Sequence, residues 1–143
     1  MKKTVKFFAV ITVMLLAMAL LISCGKSEPA DPTLWENATY KEDTTFGEGE
    51  KTVTVQVAVY ENLVTFTINT NAETVGAALM EHELIAGDEG AYGLYIKVVN
   101  GITADYDVNQ SYWAFYINGE YALTGVDTTP ITAGEIYRLE YTK

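Results

Sequence analysis

Few side chains in this chain could do covalent or acid–base chemistry. Its one histidine, His82, is flanked by Glu81 and Glu83. An imidazole base works beside a nucleophile and an orienting group. No Gly-x-Ser-x-Gly elbow, P-loop, GxGxxG or His-Glu-x-x-His pattern supplies them. His82 is therefore read as a helix residue at the edge of the core. Asp and Glu together number 19, and although paired carboxylates can do acid–base work, at that density some pairs are neighbours by chance. Asp105-x-Asp107-x-Asn109 has the opening spacing of a calcium loop, which then requires Gly at its sixth place and Glu at its twelfth. Those places hold Gln110 and Tyr116, so the segment is read as a polar turn, with a weak calcium site as the alternative. One Cys and one His build neither a Cys/His zinc site nor an internal disulfide. The expectation is a binding protein rather than an enzyme, with no cofactor and no metal.

The remaining reactive group is the thiol of Cys24. Lys2, Lys3 and Lys6 form a basic start, and residues 7–22 are an apolar run broken only by Thr12. That run is short for a membrane span, which needs roughly 20 apolar residues, but it suits the apolar part of an export signal. It ends in Leu21-Ile22-Ser23-Cys24, which resembles the bacterial lipobox, where the Cys is joined to diacylglycerol and becomes the new N-terminus. Residues 1–23 are thus expected to be a lipoprotein signal peptide, and Cys24 the lipidation site that anchors the protein to the cell membrane. Each buried acyl methylene contributes about 0.8 kcal/mol, and two or three chains anchor stably where one does not.

Removal of residues 1–23 leaves 120 residues, room for one modest core. It also removes three of the nine basic residues, so the side-chain charge moves from −10 to −13. That charge repels phosphate backbones and excludes nucleic acid as a partner. An anionic lipid surface is disfavoured in the same way, so membrane contact is expected through the lipid on Cys24. Residues 24–50 carry seven acids against two lysines, two prolines and no sustained periodicity. They are expected to form an acidic flexible tether, about 85 Å long if residues 25–50 were fully extended. Leu34, Trp35 and Tyr40 are apolar for a spacer, so part of it docking on the domain stays open.

From Lys51 the pattern has period two. Val53, Val55, Val57 and Val59 alternate with Thr52, Thr54, Gln56 and Ala58, and Val64, Phe66 and Ile68 repeat the pattern after a turn at Glu61-Asn62. The spacing predicts an antiparallel hairpin. Val75, Ala78, Leu79 and His82 then fall at helical spacing, starting near Glu73 and ending before Gly87, with Leu84 and Ile85 tucked in at the end. A third strand places Leu94, Ile96 and Val98 on one face and closes at Asn100-Gly101, a strong hairpin turn. A fourth puts Trp113, Phe115 and Ile117 opposite Tyr112, Ala114 and Tyr116, and turns at Asn118-Gly119. A last strand from Glu135 to Thr142 sets Tyr137, Leu139 and Tyr141 on one face. This order predicts an α+β domain over residues 51–143, β-grasp-like, with a mainly antiparallel sheet and one helix packed on one face.

Ten aromatic residues lie between Tyr92 and Tyr141. With Trp113 and Phe115 inward, alternation points Tyr112 and Tyr116 outward. Tyrosine offers a rigid apolar body with a polar tip, which suits a contact surface, although it is also simply a good strand former.

The run from Tyr112-Trp113 through Asn118-Gly119 to Gly125-Val126-Asp127, with Gly134 to Tyr141 after it, resembles the DUF4430 family of bacterial surface proteins. Tyr95 to Gly101 and the helix around Thr74–Leu79 fit the same layout. That family is related to the C-terminal β-domain of transcobalamin and gastric intrinsic factor. The resemblance implies binding of a corrinoid, a cobalamin-like ligand, with Tyr112, Trp113, Leu123, Gly125 and Val126 as the matching ligand-binding positions. It also implies a departure, since those carriers clamp cobalamin against a helical barrel that these residues do not contain. Two readings stand: a lipid-anchored extracytoplasmic module that holds a corrinoid at an aromatic edge, and a cell-surface module that binds a protein or polymer without a small-molecule ligand.

Overall fold

The computed structural model describes residues 30–143, of which Asp31–Lys143 form a compact unit. The export signal and the lipidation site Cys24 lie outside the described residues. Strand β1 is Thr44–Phe46, β2 Lys51–Val59 and β3 Asn62–Thr70. The β2–β3 hairpin turns at Tyr60-Glu61, with Tyr60 in the left-handed region at φ 54°. Its valines are buried as alternation requires: Val53, Val55, Val57 and Val64 are at most 1% exposed. Each such side chain contributes about 1.5–3 kcal/mol of apolar burial.

Helix α1, Val75–Met80, starts where Thr74 caps it, the hydroxyl accepting from the Ala77 N–H at 3.2 Å. Its buried face is Val75, Gly76, Ala78 and Leu79. The helix does not run on towards Gly87. Glu83 takes φ 54°, and the Leu84 and Glu83 N–H groups close back on the carbonyls of Leu79 and Met80 at 3.0 and 3.1 Å. This is a Schellman stop, usually made by Gly. A glutamate in that place hid the stop from the sequence reading, which looked to the next glycine.

The residues after the stop form strand β4, Ile85–Gly90, paired antiparallel with β5, Gly93–Val99, which turns at Asn100-Gly101 into β6, Ile102–Thr103. Both turn residues have positive φ, 50° and 80°, as the Asn-Gly pair favours. The register slips between Ala86 and Gly87, whose partners are Val98 and Ile96. An extra residue in one strand shifts its alternation. Leu94 and Ile96 consequently pack on the core, but beyond the bulge it is Val99, not Val98, that is buried.

Helix α2, Tyr106–Asn109, precedes β7, Tyr112–Ile117; β8 is Glu120–Tyr121 and β9 Ile136–Thr142. The larger sheet has the order β1-β3-β2-β9-β7-β8, and the smaller is β4-β5-β6. β2 and β9 are parallel neighbours at the centre, while β3 and β7 flank them antiparallel. That is the β-grasp-like order, and the class is α+β. The added three-stranded sheet is the difference from the expected single sheet.

The folded unit also begins earlier than residue 51. Residues Leu34–Asn37 form a 3-10 turn, Ala38 is buried, and Leu34, Trp35, Tyr40 and Phe46 pack against the core. β1 lies parallel on β3, and Asp43 accepts from the Thr65 N–H at 2.7 Å. The expected tether over 24–50 therefore fails from Asp31 onward. Leu34, Trp35 and Tyr40, which left docking open, have no period to mark them, yet they pack against the core.

Candidate functional site

A cleft of about 230 Å³ opens beside β7, where the larger sheet faces β5. Tyr112, Trp113 and Phe115 form one wall, Leu94 to Ile96 the other, and Tyr121, Ala122 and Thr124 to Val126 close the end. Trp113 is 7% exposed, and its indole Nε1 donates to the Lys97 carbonyl at 3.3 Å, tying the two sheets together. Its ring stands edge-on to Tyr141, with centroids 5.7 Å apart and planes at 81°. Phe115 stacks against the buried Tyr137 ring at 6.2 Å. These contacts hold both cleft rings in one orientation, and aromatic pairs of this kind contribute about 0.5–1.5 kcal/mol beyond their burial.

The closing loop is anchored from three sides. Ala122 donates its N–H to the Phe115 carbonyl at 2.9 Å, continuing the β7–β8 ladder. The Thr129 hydroxyl donates to the Gly125 carbonyl at 2.7 Å, and the Thr129 carbonyl accepts from Val75 N–H at the start of α1. Asp127 accepts from the Leu94 N–H through Oδ2 at 3.1 Å, while its Oδ1 is buried without a hydrogen-bond partner. Behind the cleft, Asp88 pairs with Lys97 at 2.7 Å; the hydrogen bond and its charge raise the ammonium's pKa.

Of the five residues carried over by resemblance, the structure brings four to this cleft: Tyr112, Trp113, Gly125 and Val126. Leu123 is 99% exposed and does not line it. Sequence reading missed the β5 wall. Period two had marked Leu94 and Ile96 as buried, but it could not show that the strand carrying them would face β7. The expected tyrosine surface is smaller than ten aromatics suggested, for Tyr137 and Tyr141 are buried. Tyr121 is 60% exposed and packs edge-on against Tyr116 at 5.6 Å.

His82 stacks on Phe46, with ring centroids 5.1 Å apart, and its Nε2 is buried with no hydrogen-bond partner. Neighbouring Glu81 accepts from the Thr70 hydroxyl at 2.7 Å. In the Asp105 to Asn109 segment, Asp105 caps α2 by accepting from the Asp107 N–H, and Asn109 accepts from Ser111. Two of its oxygens, Asp105 Oδ1 and Asn109 Oδ1, are thus spent on the turn. Among the described residues no three His, Cys, Asp or Glu side chains gather as a metal site would need. No helix among them is long and apolar enough to cross a membrane.

Residues 72–143 match the family model DUF4430, described as a domain of unknown function. A candidate metal-binding protein from Ruminococcus gnavus ATCC 29149 is similar in structure, with a TM-score of 0.62 and 34% identity. The match covers 66% of this chain and 98% of that one. Haptocorrin, solved in complex with Cbi, superposes with a TM-score of 0.53 at 20% identity, over 68% of this chain and 26% of its own. At that identity the likeness is one of fold, and the chain spans about a quarter of haptocorrin's length. No curated protein matches the chain.

Proposed function

We propose, since the chain belongs to the DUF4430 family, that it is a lipid-anchored extracytoplasmic binding module whose aromatic cleft holds the edge of a corrinoid ligand. The observation that carries this reading is the convergence of Tyr112, Trp113, Gly125 and Val126 on one cleft, walled opposite by Leu94 and Ile96. A rigid aromatic wall facing aliphatic side chains suits the flat, largely apolar edge of a macrocycle. The fold shared with haptocorrin supports the ligand class. Sites for whole small molecules hold roughly 300–1,000 Å³, so a cleft of about 230 Å³ takes an edge and leaves the rest of the ring in water. Affinity is accordingly modest. The reading includes no catalytic step: His82 has no partner to activate.

The test is a titration of the full chain, purified in detergent, with cobalamin and cobinamide while following tryptophan emission. A Trp35→Phe background isolates Trp113. Saturable quenching below about 1 mM, equivalent to roughly −4 kcal/mol, is expected. No quenching at near-millimolar ligand would remove the corrinoid from this reading.

A further inference from the structure

The sheet face turned away from the core carries ordered rows of polar side chains. The alternation that buries Val53, Val55 and Val57 sends Thr52, Thr54 and Gln56 to the other side. Register then lines these up across strands. Thr45, Thr67, Thr54 and Ile136 are successive partners in one row; Thr65, Gln56, Arg138 and Tyr116 form the next. With strands about 4.8 Å apart and same-face residues roughly 6.8 Å apart along each strand, the hydroxyls make a regular grid. The hydroxyls of Thr54, Thr65 and Thr67 make no hydrogen bond to the described residues, and all three side chains are only half-buried. At one end the face dips into a cavity of about 550 Å³, floored by Thr52, Thr54 and Ile136.

The charges on this face disfavour an anionic partner. Arg138 is held by the Gln56 carbonyl oxygen at 2.8 and 3.1 Å and lies 3.7 Å from Glu140. At the cavity rim, the Lys51 ammonium donates to the Ala72 carbonyl and lies 3.5 Å from Glu73. Both cations are thus committed: Glu140, on the next row, offsets Arg138, and Glu50 and Glu135 join Lys51 around the cavity in a chain of net charge −10. A polyanion would meet no free cation here. A protein hot spot would want clustered large apolar or aromatic anchors, whereas the row centres are hydroxyl and amide groups. Hydroxyls that donate and accept match sugar hydroxyls, and Ile136, 44% exposed, and Tyr116 supply apolar contact for ring faces.

We propose that this face binds a neutral glycan chain laid across the strands, with the threonine rows exchanging hydrogen bonds with sugar hydroxyls. The site is independent of the cleft beside Trp113. Threonine also suits strands for its shape alone, and valine separates the two explanations because it keeps the shape and loses the hydroxyl. The full chain in detergent is passed over insoluble cellulose, chitin and β-1,3-glucan, with heparin-agarose as the charged control. Retention on at least one neutral polymer is expected, with none on heparin. The double variant Thr54→Val, Thr67→Val is expected to lose retention at least fivefold while melting no lower than the parent; Thr54→Ser, Thr67→Ser is expected to keep it. Failure on all three neutral polymers, preference for heparin, or undiminished binding by the valine variant would each overturn the proposal.

Discussion

The Asn100 side chain grips the Tyr40 backbone from both directions. Its Oδ1 accepts from the Tyr40 N–H at 2.9 Å, and its Nδ2 donates to the Tyr40 carbonyl at 2.8 Å. One residue thus serves as the left-handed corner of the β5–β6 turn and as the clasp for a segment sixty positions earlier. Asn100→Ala loses both bonds and strains a residue at φ 50°. A cost of about 2–4 kcal/mol is expected in urea unfolding. Asn100→Gly keeps the turn and loses only the clasp, so it is expected to cost less and to expose residues 31–46 to protease before the core unfolds.

Gly76 couples helix α1 to the cleft. A Cβ at this position would lie 2.8 Å from the Asp127 nitrogen and 2.9 Å from its Cα. These are backbone atoms of the 3-10 turn Val126–Thr128, which closes the cleft. Gly76→Ala is expected to cost about 1–3 kcal/mol and to weaken any cleft ligand, read by Trp113 emission and a thermal melt.

Tyr137 holds a loop through its phenol. The hydroxyl accepts from the Thr132 N–H at 3.0 Å and donates to Glu135 at 2.7 Å. Burial, chiefly, and the bond to Glu135 push its pKa above the ordinary range. The folded state therefore keeps the proton to higher pH than the unfolded chain does. Its contribution is whole below about pH 10 and is lost as pH climbs through the raised folded value. Tyr137→Phe is expected to cost about 1–2 kcal/mol at pH 7 and to lack that alkaline decline; urea melts from pH 8 to 11 would show both.

The His82 ring packs on Phe46. His82→Phe keeps the stack on Phe46 and removes a buried nitrogen that has no partner. Stability within about 1 kcal/mol of the parent, or above it, is expected by thermal unfolding. A large loss would mean that the imidazole has a partner of consequence.

Cys24→Ala tests the anchor. The expected outcome is a protein that is soluble or retains its signal, read by fractionation and intact mass. A processed variant still held in the membrane fraction would count against lipidation.

Much of this was written locally in the chain. Period two in Val53 to Val59 and in Tyr137 to Tyr141 determined which faces are buried, because a strand must alternate. Asn100-Gly101 and Asn118-Gly119 determined two turns, because few residue pairs accept positive φ twice. Four of the five positions taken from the family likeness lie along one cleft. What the chain did not show was either a local stop without its usual residue or a matter of partners distant in sequence. Glu83 ends a helix where no glycine marks the stop; Ala86-Gly87 slips a register and so buries Val99 instead of Val98. Trp35 and Tyr40 pack against the core beside a segment that Asn100, sixty positions later, holds in place. The cleft exists because β5 comes to face β7, and the threonine rows because β1, β3, β2 and β9 lie in register. Side-chain alternation is a property of one strand, but which strands become neighbours is settled only when the whole core packs.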